Sequence, residues 1–323
     1  MNDILVSIII LTYNQEKTIA QAIESVLCQD TKLPYEIIIG DDCSTDGTRD
    51  ICVNYHEKFP EIVKLHFSEE NLGVAANFVT CVNKAVGKYV ATCDGDDYWH
   101  NLHKMQLEFD FLEANPDYGL VYSDYDKLNT YSGRKIKNYL SYMKLKIYEG
   151  DGLITKFFEG LVPALSLTIM FRRDLYEKYI PAEDYIKYKF TLEDWPTWLI
   201  LSKYSKIGYI HQSTGTYRYG HESLSNFRSV EYATARMSQE KIMYKYICDM
   251  FPDDLNYCEQ NFDNYVQGIM LEIAYKRNDY KLAKKFSSIL LENNVSTIKI
   301  RSAQNIISFY AFALLRKPHS RRI

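Results

Sequence analysis

Apolar residues fall into short unbroken runs early in the chain and into spaced sets late in it. "LVSIIILTYN", from Leu5, is a continuous β-branched stretch of the kind buried on both faces of a parallel sheet. In "NQEKTIAQAIESVLCQ", Ile19, Ile23 and Val26 recur at helical spacing, with Asn14 as the expected cap. The alternation continues: "YEIIIGDD" reads as a strand and "STDGTRDICVNYHEKF" as a helix. "EIVKLHFS" then reads as a strand, "GVAANFVTCVNKAV" as a helix and "KYVATCDGDD" as a fourth strand. Strand followed by helix, repeated in this way, describes a wound α/β sheet.

The pattern then becomes mixed. "KMQLEFDFLEA" predicts a helix, "YGLVYSDY" and "ALSLTIMFRR" predict strands, and "WPTWLILSKY" predicts a helix opened by Pro196. "IGYIHQSTGTYRY" predicts a last extended pair. Beyond it strand signals stop, and three amphipathic helical stretches follow from Glu231 to about Asn293. The expected organisation is a wound mixed sheet flanked by helices over 1–229 and a C-terminal helical region over 230–323.

Composition narrows the function. A net charge of -4 argues against a nucleic-acid partner, which usually meets a basic excess. Seven scattered cysteines without a C-x-x-C pair read as reduced thiols of a cytoplasmic protein. The N-terminal apolar run is short and preceded by Asp3, so it reads as a strand and not a leader. From Asn294 onward Lys299, Arg301, Arg316, Lys317, Arg321 and Arg322 surround "IISFYAFALL" with no acid. That run is too short to span a bilayer. It suits either packing on the preceding helices or peripheral contact with an anionic membrane face.

Ligands of wound sheets bind beyond the carboxyl ends of the strands. Here those ends are "LTYN", "GDDCSTDGT" and "CDGDDYW". The first lacks the glycines of a dinucleotide fold, and no P-loop is present. Tyr13 offers a ring face for a base, and Asp41 an acceptor for a base N–H or ribose hydroxyl. Asp94, Asp96 and Asp97 crowd three carboxylates into four positions, where each disfavours ionisation of the next. In an extended segment Asp94 and Asp96 would face one side and Asp97 the other. Hard oxygen ligands at the mouth of a nucleotide pocket suit Mg2+ or Mn2+ on a diphosphate.

"VSIIILTYNQEKTIAQAIESVLCQ", "EIIIGDDCSTDGT", "NLGVAANF", "CDGDDYW", "TLEDW" and "YRYGHESLSN", in this order, resemble the family 2 glycosyltransferases with a GT-A fold. The resemblance covers roughly residues 4–226. It implies inverting transfer of a hexosyl or N-acetylhexosaminyl group from a nucleotide diphosphate sugar, UDP-linked, to a glycan or lipid-linked acceptor. It further implies nucleotide contacts from Thr12, Tyr13, Asp41, Asn71, Asp94 and Arg218, a metal on Asp96 and His221, and Asp194 as catalytic base. Asp97, Glu193 and Trp195 would support these residues. One departure is visible: the family often runs Y-R-x-H, whereas "YRYGH" holds one residue more.

Blander readings stand beside these. Asp42 and Asp46 suit turn and cap roles. Asp194 also suits the electrostatics of a helix start, and Trp195 and Trp198 suit either a core or an acceptor pocket. A nucleotidyltransferase pairs a nucleotide pocket with metal-bound acids too, but its glycine-rich basic loop is missing after the first strand. A catalytically silent sugar-nucleotide-binding protein is the third reading, and the full set of acids argues against it.

Overall fold

The computed structural model describes residues 4–220, 230–293 and 295. His221 and nearly all of the basic tail lie outside the described residues.

The chain runs β1 (Val6–Thr12), α1 (Ile19–Leu27), β2 (Tyr35–Asp41), α2 (Thr48–Lys58), β3 (Val63–Phe67), α3 (Val74–Val82) and β4 (Tyr89–Asp94). It continues through β5 (Tyr98–Trp99), α4 (Lys104–Ala114), β6 (Tyr118–Asn129), β7 (Lys135–Ile136), α5 (Tyr139–Tyr142) and α6 (Ile154–Phe158). A 3-10 turn at Ser166–Thr168 leads to β8 (Met170–Arg172), α7 (Arg173–Tyr179), α8 (Ala182–Lys187), α9 (Asp194–Tyr204) and β9 (Lys206–Tyr219). Three helices close the described chain: α10 (Val230–Met250), α11 (Glu259–Lys276) and α12 (Tyr280–Glu292).

One sheet takes the order β3-β2-β1-β4-β8-β6-β9-β5, with β7 beside β6. β3, β2, β1 and β4 are mutually parallel. β8 enters antiparallel between β4 and β6, and β9 runs parallel to β6. All seven residues of β1 are buried, which is why its sequence is a solid apolar run. Ile19, Ala22, Ile23 and Val26 of α1 share one core cluster with Val6, Ile8 and Ile10. Strand order reverses between β1 and β4, so the crevice for a ligand opens at their carboxyl ends.

Three expectations change. Asn14 does not cap α1. It sits at φ 52° in the turn leaving β1, where its side-chain oxygen accepts the Thr45 N–H at 2.7 Å. The helix begins only after Thr18. "ALSLTIMFRR" is not one strand, because the Ser166 carbonyl takes the Thr92 hydroxyl and the Leu167 carbonyl the Trp99 indole N–H at 3.1 Å. Those bonds hold a 3-10 turn and leave three residues for β8. "IGYIHQSTGTYRY" is a single long strand, and bulges around Asp124 on its partner β6 break the register.

The chain divides into two compact units, 1–154 with 164–221 and 155–163 with 222–323. In the second, α10, α11 and α12 bury Met243, Ile247, Phe262, Tyr265 and Leu290. Asp279 caps α12 by accepting the Leu282 N–H at 2.9 Å. No described helix is long and apolar enough to cross a membrane.

Candidate active site

The crevice between β1 and β4 is lined first by strand ends. Thr12 is buried and its hydroxyl has no partner among the described residues. Tyr13, the next residue, is 46% exposed, so its ring is free to meet a flat ligand. Asp41 ends β2 fully buried. Its Oδ1 accepts from the Ser44 N–H at 3.0 Å and from Arg49 Nε at 2.6 Å, while Oδ2 is buried with no partner among the described residues. A buried, unbonded carboxylate oxygen is costly, and a ligand N–H or hydroxyl would satisfy it. Arg49 was not legible in the sequence, because nothing there ties a basic residue on α2 to a strand end eight positions earlier.

Asp42 points the other way. Its two oxygens accept the backbone N–H groups of Leu72 and Gly73 at 2.8 and 2.9 Å, fixing the loop that carries exposed Asn71 beside the end of β2. Asp46, one position before Gly47 at the N-cap of α2, accepts the N–H of Thr48 at 3.0 Å and so holds the helix start without being its cap residue.

The three acids are not in an extended segment, which corrects the alternating picture. β4 stops at Asp94, and the Asp97 N–H returns to the Asp94 carbonyl at 3.0 Å, closing a turn over Gly95 and Asp96. A Cβ at Gly95 would lie 2.4 Å from Gln15 Oε1 and 2.9 Å from Thr12 Oγ1, so only glycine lets the turn close onto β1. Burial pushes the Asp94 carboxyl up to about 8, with the charges of Asp96 and Asp194 adding to the shift. Asp97 is more deeply buried and also well above the carboxylate range. Desolvation leads, the neighbouring acids add, and Arg218 opposes.

Asp194 is the first residue of α9 and accepts its neighbour's N–H, from Trp195, at 2.6 Å. Its charge is felt at Asp94, so the fold brings it within electrostatic reach of the acid turn across about a hundred residues. Glu193 is buried and its carbonyl accepts the Thr197 hydroxyl at 2.5 Å; Trp195 is half-buried. Trp198 is a core residue, 1% exposed and 5.4 Å from the Phe171 ring centroid.

Arg218, near the end of β9, reaches the same turn. Its guanidinium donates to the Asp96 carbonyl at 2.7 Å and to Gln21, and lies 4.6 Å from the centroid of the Tyr98 ring. Gln21, on α1, is a second residue the sequence did not single out. On α4, Lys104 and Glu108 form a fully buried ion pair at 2.5 Å, and Lys104 lies 4.6 Å from the Trp99 ring centroid.

Among the described residues no three His, Cys, Asp or Glu side chains are disposed to hold a metal by themselves. The acids present suit a cation shared with a ligand instead. Mg2+ and similar ions take one or two carboxylates and complete their shell with water and phosphate oxygens.

The fold has counterparts. The glycosyl transferase family 2 model matches residues 7–180, and the chain belongs to that family. An "Uncharacterized protein" of Mycobacterium tuberculosis is 38% identical over 111 residues, 34% of this chain and 32% of that protein. The chain thus spans about a third of that relative's length. UDP-Glc:alpha-D-GlcNAc-diphosphoundecaprenol beta-1,3-glucosyltransferase WfgD of Escherichia coli is 31% identical over 180 residues, 54% of this chain and 69% of that enzyme. Among solved structures, Staphylococcus aureus TarS 1–349 in complex with UDP-GlcNAc superposes with a TM-score of 0.55 at 17% identity, covering 96% of this chain and 89% of that one. The sheet flanked by helices is of the GT-A type.

Proposed function

We propose that the chain is an inverting glycosyltransferase that moves a hexosyl or N-acetylhexosaminyl group from a UDP-sugar to a hydroxyl of a lipid-linked glycan. The charge of Asp194, felt at Asp94 from a hundred residues further along the chain, supports this reading, because it brings a further carboxylate within electrostatic reach of the acid turn. WfgD is named for UDP-glucose and a diphosphoundecaprenol acceptor, and TarS binds UDP-GlcNAc; both support the donor, and the first supports the acceptor.

In the proposed reaction Tyr13 stacks on the base, and Asp41 accepts from the base or ribose through its unbonded Oδ2. Thr12, Asn71 and Asp94 complete the nucleotide contacts. Asp194 takes the proton of the acceptor hydroxyl as its oxygen bonds the anomeric carbon. The bond to the diphosphate oxygen breaks on the opposite face, and its electron pair leaves with UDP. Arg218 turns toward the departing diphosphate. Asp96, with His221, would hold Mn2+ or Mg2+, which supplies positive charge to that leaving group. A lipid-linked acceptor places the work in the cytoplasm at the inner face of a membrane, and the basic tail would add peripheral contact there.

The test is a panel of nucleotide sugars incubated with the purified protein, with Mn2+ or with chelator. Slow metal-dependent release of UDP from one UDP-sugar is the expected result. Release of nucleotide diphosphate from no member of the panel would overturn the reading, and pyrophosphate release from a nucleoside triphosphate with a sugar phosphate would replace it by nucleotidyl transfer.

A further inference from the structure

β6 and β9 present a lysine among tyrosine rings. Lys127 Nζ lies 4.7 Å from the ring centroid of Tyr139, 4.7 Å from that of Tyr219 and 5.9 Å from that of Tyr217. The side chain is half-buried, and it makes no ion pair with a carboxylate among the described residues. Burial alone lowers its pKa, with no acid opposing the shift. Neighbouring lysines differ: Lys104 is paired with Glu108, and Lys135 with Asp126 at 3.1 Å. Ring faces offset only part of the cost of desolvating an ammonium group. Among the described residues, therefore, Lys127 lacks an anion.

Its position adjoins the acid turn. Lys127 stands opposite Tyr217 in the β6–β9 pairing, and Leu128 stands opposite Arg218, the residue that clasps Asp96 and Asp97. Tyr125, two residues earlier on the same face of β6, has its ring 5.5 Å from that of Tyr139 and 6.3 Å from that of Tyr217. The charge of Asp97 is felt at the Tyr125 hydroxyl, so this aromatic face lies within electrostatic reach of the acid turn. Lys127 also opens a stretch, 127–148, with six bases and no acid, in a chain of net charge -4. A local basic excess of that size in an acidic protein favours an anionic ligand.

We propose that Lys127 and the rings of Tyr139, Tyr217 and Tyr219 form the acceptor subsite for an anionic group, the diphosphate that joins the acceptor glycan to its lipid. This deepens the proposed transfer to a lipid-linked glycan and rests on it. The lysine pairs with a phosphate oxygen, and the ring faces lie against the adjoining sugar or alkyl chain.

The experiment compares two probes by calorimetry: the undecyl diphosphate ester of N-acetylglucosamine and the undecyl glycoside of the same sugar. Both are titrated into the full chain in EDTA without nucleotide, so neither the donor nor a metal on Asp96 contributes. Failure of the donor reading would therefore leave this measurement intact. The protein should bind the diphosphate compound about tenfold or more tightly than the glycoside, the worth of one charge-assisted contact. Lys127→Met, which keeps the apolar stem among the rings, should abolish the preference without weakening glycoside binding, and Lys127→Arg should retain it. Thermal unfolding of both variants verifies that they fold. Equal binding of the two probes, or a preference that survives Lys127→Met, overturns the proposal. So does Lys127-dependent flotation with phosphatidylglycerol vesicles lacking acceptor, which would assign the lysine to lipid headgroups.

Discussion

Arg218 donates its backbone N–H to the Asp97 carboxylate at 2.7 Å, joining positions 121 apart in sequence. Its guanidinium bonds the carbonyl of Asp96, the residue before Asp97. The last strand of the sheet thus holds the acid turn by main chain and side chain at once. Arg218→Met separates the two, since it keeps the first bond and removes the second. UDP affinity measured by calorimetry should fall by roughly tenfold or more, as expected for loss of a charge-assisted contact, while the protein remains folded. Unchanged affinity would confine Arg218 to a structural role.

Asp194→Asn keeps the size of the side chain but cannot accept a proton. Turnover should fall by about 10² to 10⁴, the usual worth of a general base, with donor affinity nearly constant. Product formation and calorimetry on one preparation check it. Asn is also a good residue for a helix start, so a purely structural Asp194 would tolerate the change. Near-normal turnover would direct attention to Glu193.

Chelation and Asp96→Asn address the cation. EDTA should abolish turnover, and Mn2+ or Mg2+ should restore it in the wild type. In Asp96→Asn donor binding should weaken sharply, because a neutral amide replaces a hard anionic ligand. Full activity in excess chelator would remove the metal from the mechanism.

Asp94 gives a pH dependence. Its folded pKa, about 8, stands above the ordinary 3.8, so between those values the folded protein binds a proton that the unfolded chain has lost. The group's favourable contribution is complete at low pH and is lost progressively as pH rises toward 8. Urea unfolding in EDTA at pH 5 and pH 8 should therefore show Asp94→Asn gaining on the wild type at the higher pH. A constant difference between the two proteins would refute the assignment.

Glu108→Gln tests the buried ion pair of α4. Lys104 would be left fully buried without its counter-charge, which typically costs about 3–5 kcal/mol. Urea unfolding at neutral pH reads the loss. Glu108→Gln together with Lys104→Met should recover most of it, since a buried pair replaced by neutral residues of similar volume is often close to neutral.

β1, β2 and β4 were legible because each is buried on both faces and so carries a nearly continuous apolar run, whereas the edge strand β3 is only partly buried and alternates apolar with polar residues. β1 and β2 follow their sequences almost residue for residue. β8 was obscured because "ALSLTIMFRR" has strand composition throughout, yet bonds from Thr92 and Trp99 fix Ser166–Thr168 as a 3-10 turn. Asn14 looks like a cap by residue type, but the turn after β1 needs a left-handed residue, a conformation asparagine tolerates. The acids of the site were visible as a cluster, whereas Arg49 and Gln21 were not. Their roles come from side chains that meet only after α1 and α2 pack on the sheet.

The pairing of β9 also orders the assembly of the protein in time. The crevice between β1 and β4 is built from the first hundred residues, through strands that follow one another closely. β9 is made last of the nine strands and must find β6 and β5 about 90 and 118 positions back, closing long loops before any contact compensates. During synthesis the acid turn exists for a time without the arginine that clasps it. A chain halted before Lys206 presents the nucleotide crevice with an unclasped turn, so completion of the sheet and completion of the site are a single late event.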